Sequence, residues 1–138
     1  MSANLDLVHS IYADWERGNF SSVGWADPEI EYVEAEMGRF PRTSSHGVIG
    51  LAEAARARLE VLEDVRELAE EYRELDDGRV LVLNLTRGRW KRSGIELGVS
   101  KSRPWVGAHL FHIRDGKVTK LVVYGSRDST FADLGLEG

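Results

Sequence analysis

The sequence predicts an α+β domain, and three observations carry that expectation. Two stretches, 4–17 and 48–63, repeat apolar residues at helical spacing. The second half is rich in short β-branched, apolar runs separated by turn residues. The helical stretches do not alternate with those runs, so the strands return by turns in a meander rather than by helical crossovers.

In the first helix Leu5, Val8, Tyr12 and Trp15 form the apolar stripe, with Ile11 beside it, Asn4 as the expected cap and Gly18 as the stop. Asn19 to Val23 suits a short second helical turn. Asp27-Pro28 reads as a turn, after which Ile30, Tyr32 and Glu34 alternate with Glu31, Val33 and Ala35 as in a strand. Gly38 to Gly47 carries Pro41, Thr43, Ser44 and Ser45 and reads as a loop. The second helix places Leu51, Ala55, Leu59 and Leu62 on one stripe. Residues 65–75 fit either a helix or a strand, because Leu68, Glu70 and Tyr72 also alternate with their neighbours. Val80 to Thr86 is a strand, residues 93–104 a connecting loop, and Trp105 to Ile113 a second strand. The turn Arg114-Asp115-Gly116 then hands over to a third, Lys117 to Tyr124. The tail from Ser129 to Leu136 suits one helical turn that docks Phe131 and Leu134.

Composition narrows the function classes. The 138 residues match a single domain, 1–138, with 42% hydrophobic and 30% charged residues. A net charge of −5 argues against nucleic acid or an anionic membrane surface as partner. The basic run Arg87, Arg89, Lys91 and Arg92 around Trp90 reads as a charged sheet edge instead. There is no cysteine, hence no disulfide and no thiolate chemistry. The start of the chain lacks a signal-peptide pattern and no apolar run could span a bilayer, so a cytoplasmic protein is expected. His9, His46, His109 and His112 show no metal-ligand spacing, and no phosphate-cradling loop or nucleophile elbow is present. Neither a metal nor an organic cofactor is expected.

The pattern Tyr12-x-x-Trp15-x-x-Gly18-Asn19-Phe20, then Trp25-Ala26-Asp27-Pro28, then Gly47-x-x-Gly50-Leu51, runs into Leu110-Phe111-His112-Ile113-Arg114-Asp115-Gly116-Lys117-Val118 and Leu121-Val122-Val123-Tyr124. In this order it resembles the nuclear transport factor 2-like superfamily, in its SnoaL-like, ketosteroid-isomerase-like branch. The resemblance implies a cone-shaped, curved antiparallel (mixed) sheet wrapped by about three helices around a central pocket. It also implies a strand over 65–75 and a homodimer through the outer sheet face.

Ketosteroid isomerase and the polyketide cyclases carry an acidic residue on the strand before the Phe-x-Ile-x-Asp-Gly segment. Here that position holds His109, on the face shared with Phe111 and Ile113. Histidine titrates near neutrality and serves as acid or base; His112 falls on the opposite, outer face. The isomerase's carboxylate base maps to Glu34 if one extra residue is allowed at Pro28, and to Val33 otherwise. Its helical tyrosine maps to Ile11, with Tyr12 one residue and about 100° away. Trp15, Phe20, Trp25, Tyr32, Phe111 and Tyr124, with Tyr12, are the candidate apolar wall, and Asn84 and Thr86 share a strand face that could supply hydrogen bonds.

Three readings follow. One is a domain that binds a small hydrophobic organic molecule. Another is a cofactor-independent acid–base enzyme, of isomerase, dehydratase or polyketide-cyclase type, with His109 and Glu34 handling the proton on a hydrophobic carbonyl compound. The last is a structural or interaction module whose pocket is filled by its own side chains.

Overall fold

The computed structural model describes residues 2–35, 41–97 and 105–136. The expected loop residues 38–40 and 98–104 lie outside them. Three helices, α1 (Ala3–Glu16), α2 (Gly47–Val61) and α3 (Arg127–Leu134), accompany six strands. The strands are β1 (Ala26–Glu34), β2 (Thr43–His46), β3 (Leu62–Glu74), β4 (Arg79–Trp90), β5 (Trp105–Arg114) and β6 (Lys117–Tyr124). They form one mixed sheet in the order β2-β1-β6-β5-β4-β3, in which only the β1–β6 pairing is parallel.

Helix α1 buries Val8, Ile11, Tyr12 and Trp15, the stripe read from the sequence. Its cap is Ser2, whose hydroxyl accepts from Leu5 N at 3.0 Å, rather than Asn4. The helical turn expected over 19–23 does not form. Asn19 Oδ1 accepts instead from the backbone and hydroxyl of Ser21 at 3.2 and 2.9 Å, a local bond that competes with helix.

Asp27 and Pro28 lie inside β1 rather than before it. Asp27 Oδ1 accepts from Glu29 N at 2.8 Å, and the register against β6 slips between Ala26 and Glu31. That bulge absorbs the proline, which has no N–H for the ladder. The expected loop before α2 instead contains β2, whose Thr43 to His46 pair with Glu34 to Glu31. Of residues 65–75, all but Leu75 resolve as strand, because β4 pairs with β3 from Leu62 to Glu74. Of the basic run, Arg87 and Arg89 lie on β4, flanked by β3 on one side and by backbone bonds to Ile95 and Leu97 on the other, while Lys91 and Arg92 follow its end. Arg89 meets Glu63 at 3.7 Å and also Asp64.

Two cores result. The inner one joins Val8, Ile11, Tyr12 and Trp15 of α1 to Ile30, Val80, Val82, Phe111, Ile113 and Leu121 of the sheet. The outer one, on the other face, joins Val33, Leu81, Leu83, Leu110, Val122 and Tyr124, with Phe131 and Leu134 of α3 packed against it. Helix α2 touches β1, β2 and β3, which stand at opposite ends of the sheet order. The sheet must therefore curl around it, and α2 closes the inner face. Two glycines serve the topology. Gly116 takes φ 76° in the β5–β6 turn, and a Cβ on Gly107 would come within 2.3 Å of the Tyr124 carbonyl oxygen.

Candidate ligand cavity

Alternation along each strand decides what faces the curl. On β5, His109 points inward with Phe111, while Ala108 and Leu110 face the outer core. On β4, Asn84 and Thr86 share the parity of Val80 and Val82 and so belong to the inner face. On β6, Leu121 and Val123 point inward. Tyr124 must then face outward, where it sits in the outer core and donates to Asp133 Oδ2 at 2.8 Å. It is no part of the cavity wall.

The cavity lies between α2 and the sheet. It is lined by Trp15, Phe20 and Tyr32, by Leu51, Ala54, Ala55, Arg58 and Leu59 of α2, and by Val65, Glu67, His109, Leu121 and Val123. Its volume is about 70 Å³, room for a handful of waters at roughly 10–15 Å³ each. Trp25 and Phe111 stand behind the wall: Trp25 packs edge-on against Trp15, and Phe111, fully buried, packs against Tyr12, Trp15 and His109.

His109 is 4% exposed, and its Nδ1 is hydrogen-bonded to the hydroxyl of Tyr12, itself completely buried. Burial lowers the His109 pKa to about 4, opposed by the Glu67 charge and aided, to a smaller extent, by Arg58. The ring is therefore neutral at neutral pH. Burial, reinforced by Glu67, also raises the Tyr12 pKa well above the phenolic range, so Tyr12 keeps its proton. A buried hydroxyl proton needs an acceptor, and Nδ1 is the only partner recorded for it among the described residues. Tyr12 thus donates to Nδ1, which puts the imidazole proton on Nε2 of a side chain that lines the cavity. Tyr12 does not line the cavity; it holds His109 in this tautomer.

The second polar group is a buried carboxylate that the sequence reading did not single out. Glu67, 1% exposed, accepts at Oε1 from Asn84 Nδ2 at 2.9 Å and from Thr86 Oγ1 at 2.7 Å. Its Oε2 stands 2.7 Å from Arg58 Nη2 as an ion pair, outside hydrogen-bonding angles. Arg58 Nη2 also donates to Thr86 Oγ1 at 3.3 Å. Asn84 is therefore bound to Glu67 rather than presented to the cavity. Both charges could have been noticed: Arg58 falls on the Leu51–Ala55–Leu59 stripe, and Glu67 lies two residues beyond the inward-facing Val65.

Glu34 shares its strand face with Ile30 and Tyr32, whereas Val33 is buried in the outer core. Yet Glu34 is exposed at the sheet margin, accepts from Thr43 Oγ1 at 3.3 Å, and does not line the cavity. The structure does not bring Glu34 and His109 together on the cavity wall. Tyr32 reports the intermediate position: burial raises its pKa first, and the nearby Glu34 charge raises it further. His112 lies half-buried on the outer face, where burial and then Lys120 and Arg79 lower its pKa.

No model of a known protein family matches the sequence, and no curated protein does so either. Solved structures do match over nearly the whole chain. A nuclear transport factor 2-like protein of unknown function from Burkholderia pseudomallei K96243 superposes with a TM-score of 0.73 at 15% identity, covering 96% of this chain and 97% of its own. TerC, co-crystallised with polyporic acid, gives 0.73 at 23% identity over 96% and 98%. A protein from Catenulispora acidiphila DSM 44928 with a ketosteroid isomerase-like fold, in complex with trimethylamine, gives 0.63 at 17% identity over 96% and 94%. At these identities the likeness establishes the fold, and the chain has the nuclear transport factor 2-like fold. Among the described residues, no helix is long and apolar enough to cross a membrane.

Proposed function

We propose that this domain binds a small, largely apolar organic molecule between α2 and the sheet, with His109 Nε2–H as the donor that fixes its one polar atom. The observation that carries this reading is the neutral, buried His109–Tyr12 pair on an otherwise mainly apolar wall. A core packed only for stability gains little from a histidine whose second ring nitrogen faces a cavity. Trp15, Phe20, Leu51, Leu59 and Val123 would hold the apolar body. The volume favours a one-ring compound over a drug-sized one. That two proteins of this fold were crystallised with small organic molecules, polyporic acid and trimethylamine, supports the reading.

The test is calorimetric titration with benzamide, whose carbonyl accepts a hydrogen bond and whose ring fits an aromatic wall. Wild type is expected to bind, and His109→Phe, which keeps a ring but no donor, to bind about tenfold more weakly. Equal affinity in the two proteins would remove His109 from the site.

A second reading, acid–base catalysis on a hydrophobic carbonyl compound by an isomerase, dehydratase or cyclase, draws on the same donor. An N–H aimed at a carbonyl oxygen also stabilises the oxyanion that forms when the neighbouring carbon loses a proton. The base would have to be found, because Glu67 is engaged by two donors and the Arg58 cation, and Glu34 is off the wall.

A further inference from the structure

Among the described residues Arg58 is the one cation on the cavity wall, and only part of it is spoken for. Its Nη2 serves Glu67 and Thr86. The N–H of Nε and the two on Nη1 have no partner among the described residues, and the side chain, 34% exposed, lines the cavity. Glu67, by contrast, is committed at both oxygens: Oε1 accepts from Asn84 and Thr86, and Oε2 is ion-paired with Arg58 Nη2. The same contacts hold the guanidinium against the sheet, which spares a ligand the cost of ordering a long side chain.

We propose that Arg58 makes this cavity selective for organic anions, an apolar body carrying a carboxylate or an enolate, rather than for neutral molecules of the same shape. The inference rests on the reading that the cavity binds a ligand. One oxygen of the anion meets His109 Nε2–H and the negative charge faces the uncommitted guanidinium N–H groups. Glu67 then acts as a positioning residue: it aims Arg58 and does not touch the ligand. Charge-assisted hydrogen bonds are roughly twice as strong as neutral ones, so the discrimination is set by Arg58 and not by fit.

Benzoate and benzamide are near-isosteric and differ chiefly in charge, which makes them the probes. By calorimetry at pH 7.5, wild type is expected to bind benzoate about tenfold tighter than benzamide. The double variant Arg58→Met/Glu67→Gln removes both charges without stranding a buried carboxylate, and is expected to bind the two probes equally. Arg58→Lys keeps a cation for Glu67 but commits it there, so the preference is expected to fall in that variant also. Equal affinities in wild type, or a preference that survives in both variants, would overturn the anion assignment while leaving the cavity reading in place. If wild type binds neither probe, the cavity reading fails and this inference fails with it.

Discussion

Phe111→Ala is expected to cost about 3–5 kcal/mol of folding free energy, the loss typical of emptying a buried aromatic site. Phe111 has no exposed surface and its ring meets those of Tyr12, Trp15 and His109 at centroid distances of 6.1, 6.2 and 6.3 Å. It is the packing that joins α1 to β5 behind the cavity. None of these neighbours can fill the void without leaving the partner it already has: Tyr12 its hydrogen bond to His109, Trp15 its edge contact with Trp25. Urea denaturation of wild type and variant measures the loss. A change below about 1 kcal/mol would mean that the inner core collapses around the gap, contrary to the close packing described.

Acid is expected to destabilise the protein through His109. Its folded-state pKa of about 4 lies below the roughly 6.5 of an unfolded histidine, so between those values the unfolded chain binds more protons. The contribution is complete above about pH 6.5 and is lost as the pH falls toward 4, amounting to about 3 kcal/mol over that window. Carboxylates titrate in the same range, so the informative quantity is the difference between wild type and His109→Phe, which has no imidazole to charge. Urea denaturation at pH 7 and pH 4.5 should show wild type losing more stability than the variant. Parallel losses would mean that His109 ionises freely and is not the buried neutral ring described here.

Much of this was legible in the sequence, for reasons that differ by element. The α1 stripe needed only helical periodicity, and the inward direction of His109 needed only strand alternation from Phe111 and Ile113. The same rule, applied to β6 from Leu121 and Val123, excludes Tyr124 from the cavity; its aromatic character suggested a wall position that its parity forbids. Pro28 was harder, because a proline between two strand residues signals a turn unless the bulge that accommodates it is seen. The Arg58–Glu67 pair was hidden by its geometry. The two residues are nine apart, on either side of the α2–β3 reversal, and periodicity, which can turn each one inward, carries no signal of their pairing. Only the curl of the sheet beneath α2 brings them onto one wall. Composition likewise gave no view of Asn84 as a ligand of Glu67, since the bond crosses between neighbouring strands.

The proposal stands on His109 presenting a neutral Nε2–H donor to a cavity that takes up a ligand. Long-range proton–nitrogen correlation NMR of the imidazole ring, recorded at pH 7 with and without benzoate, tests it most directly. The account predicts a protonated Nε2 and an unprotonated Nδ1 in the free protein, and a shift of the Nε2 resonance as benzoate is added. A proton on Nδ1, together with a spectrum indifferent to benzoate, would contradict it.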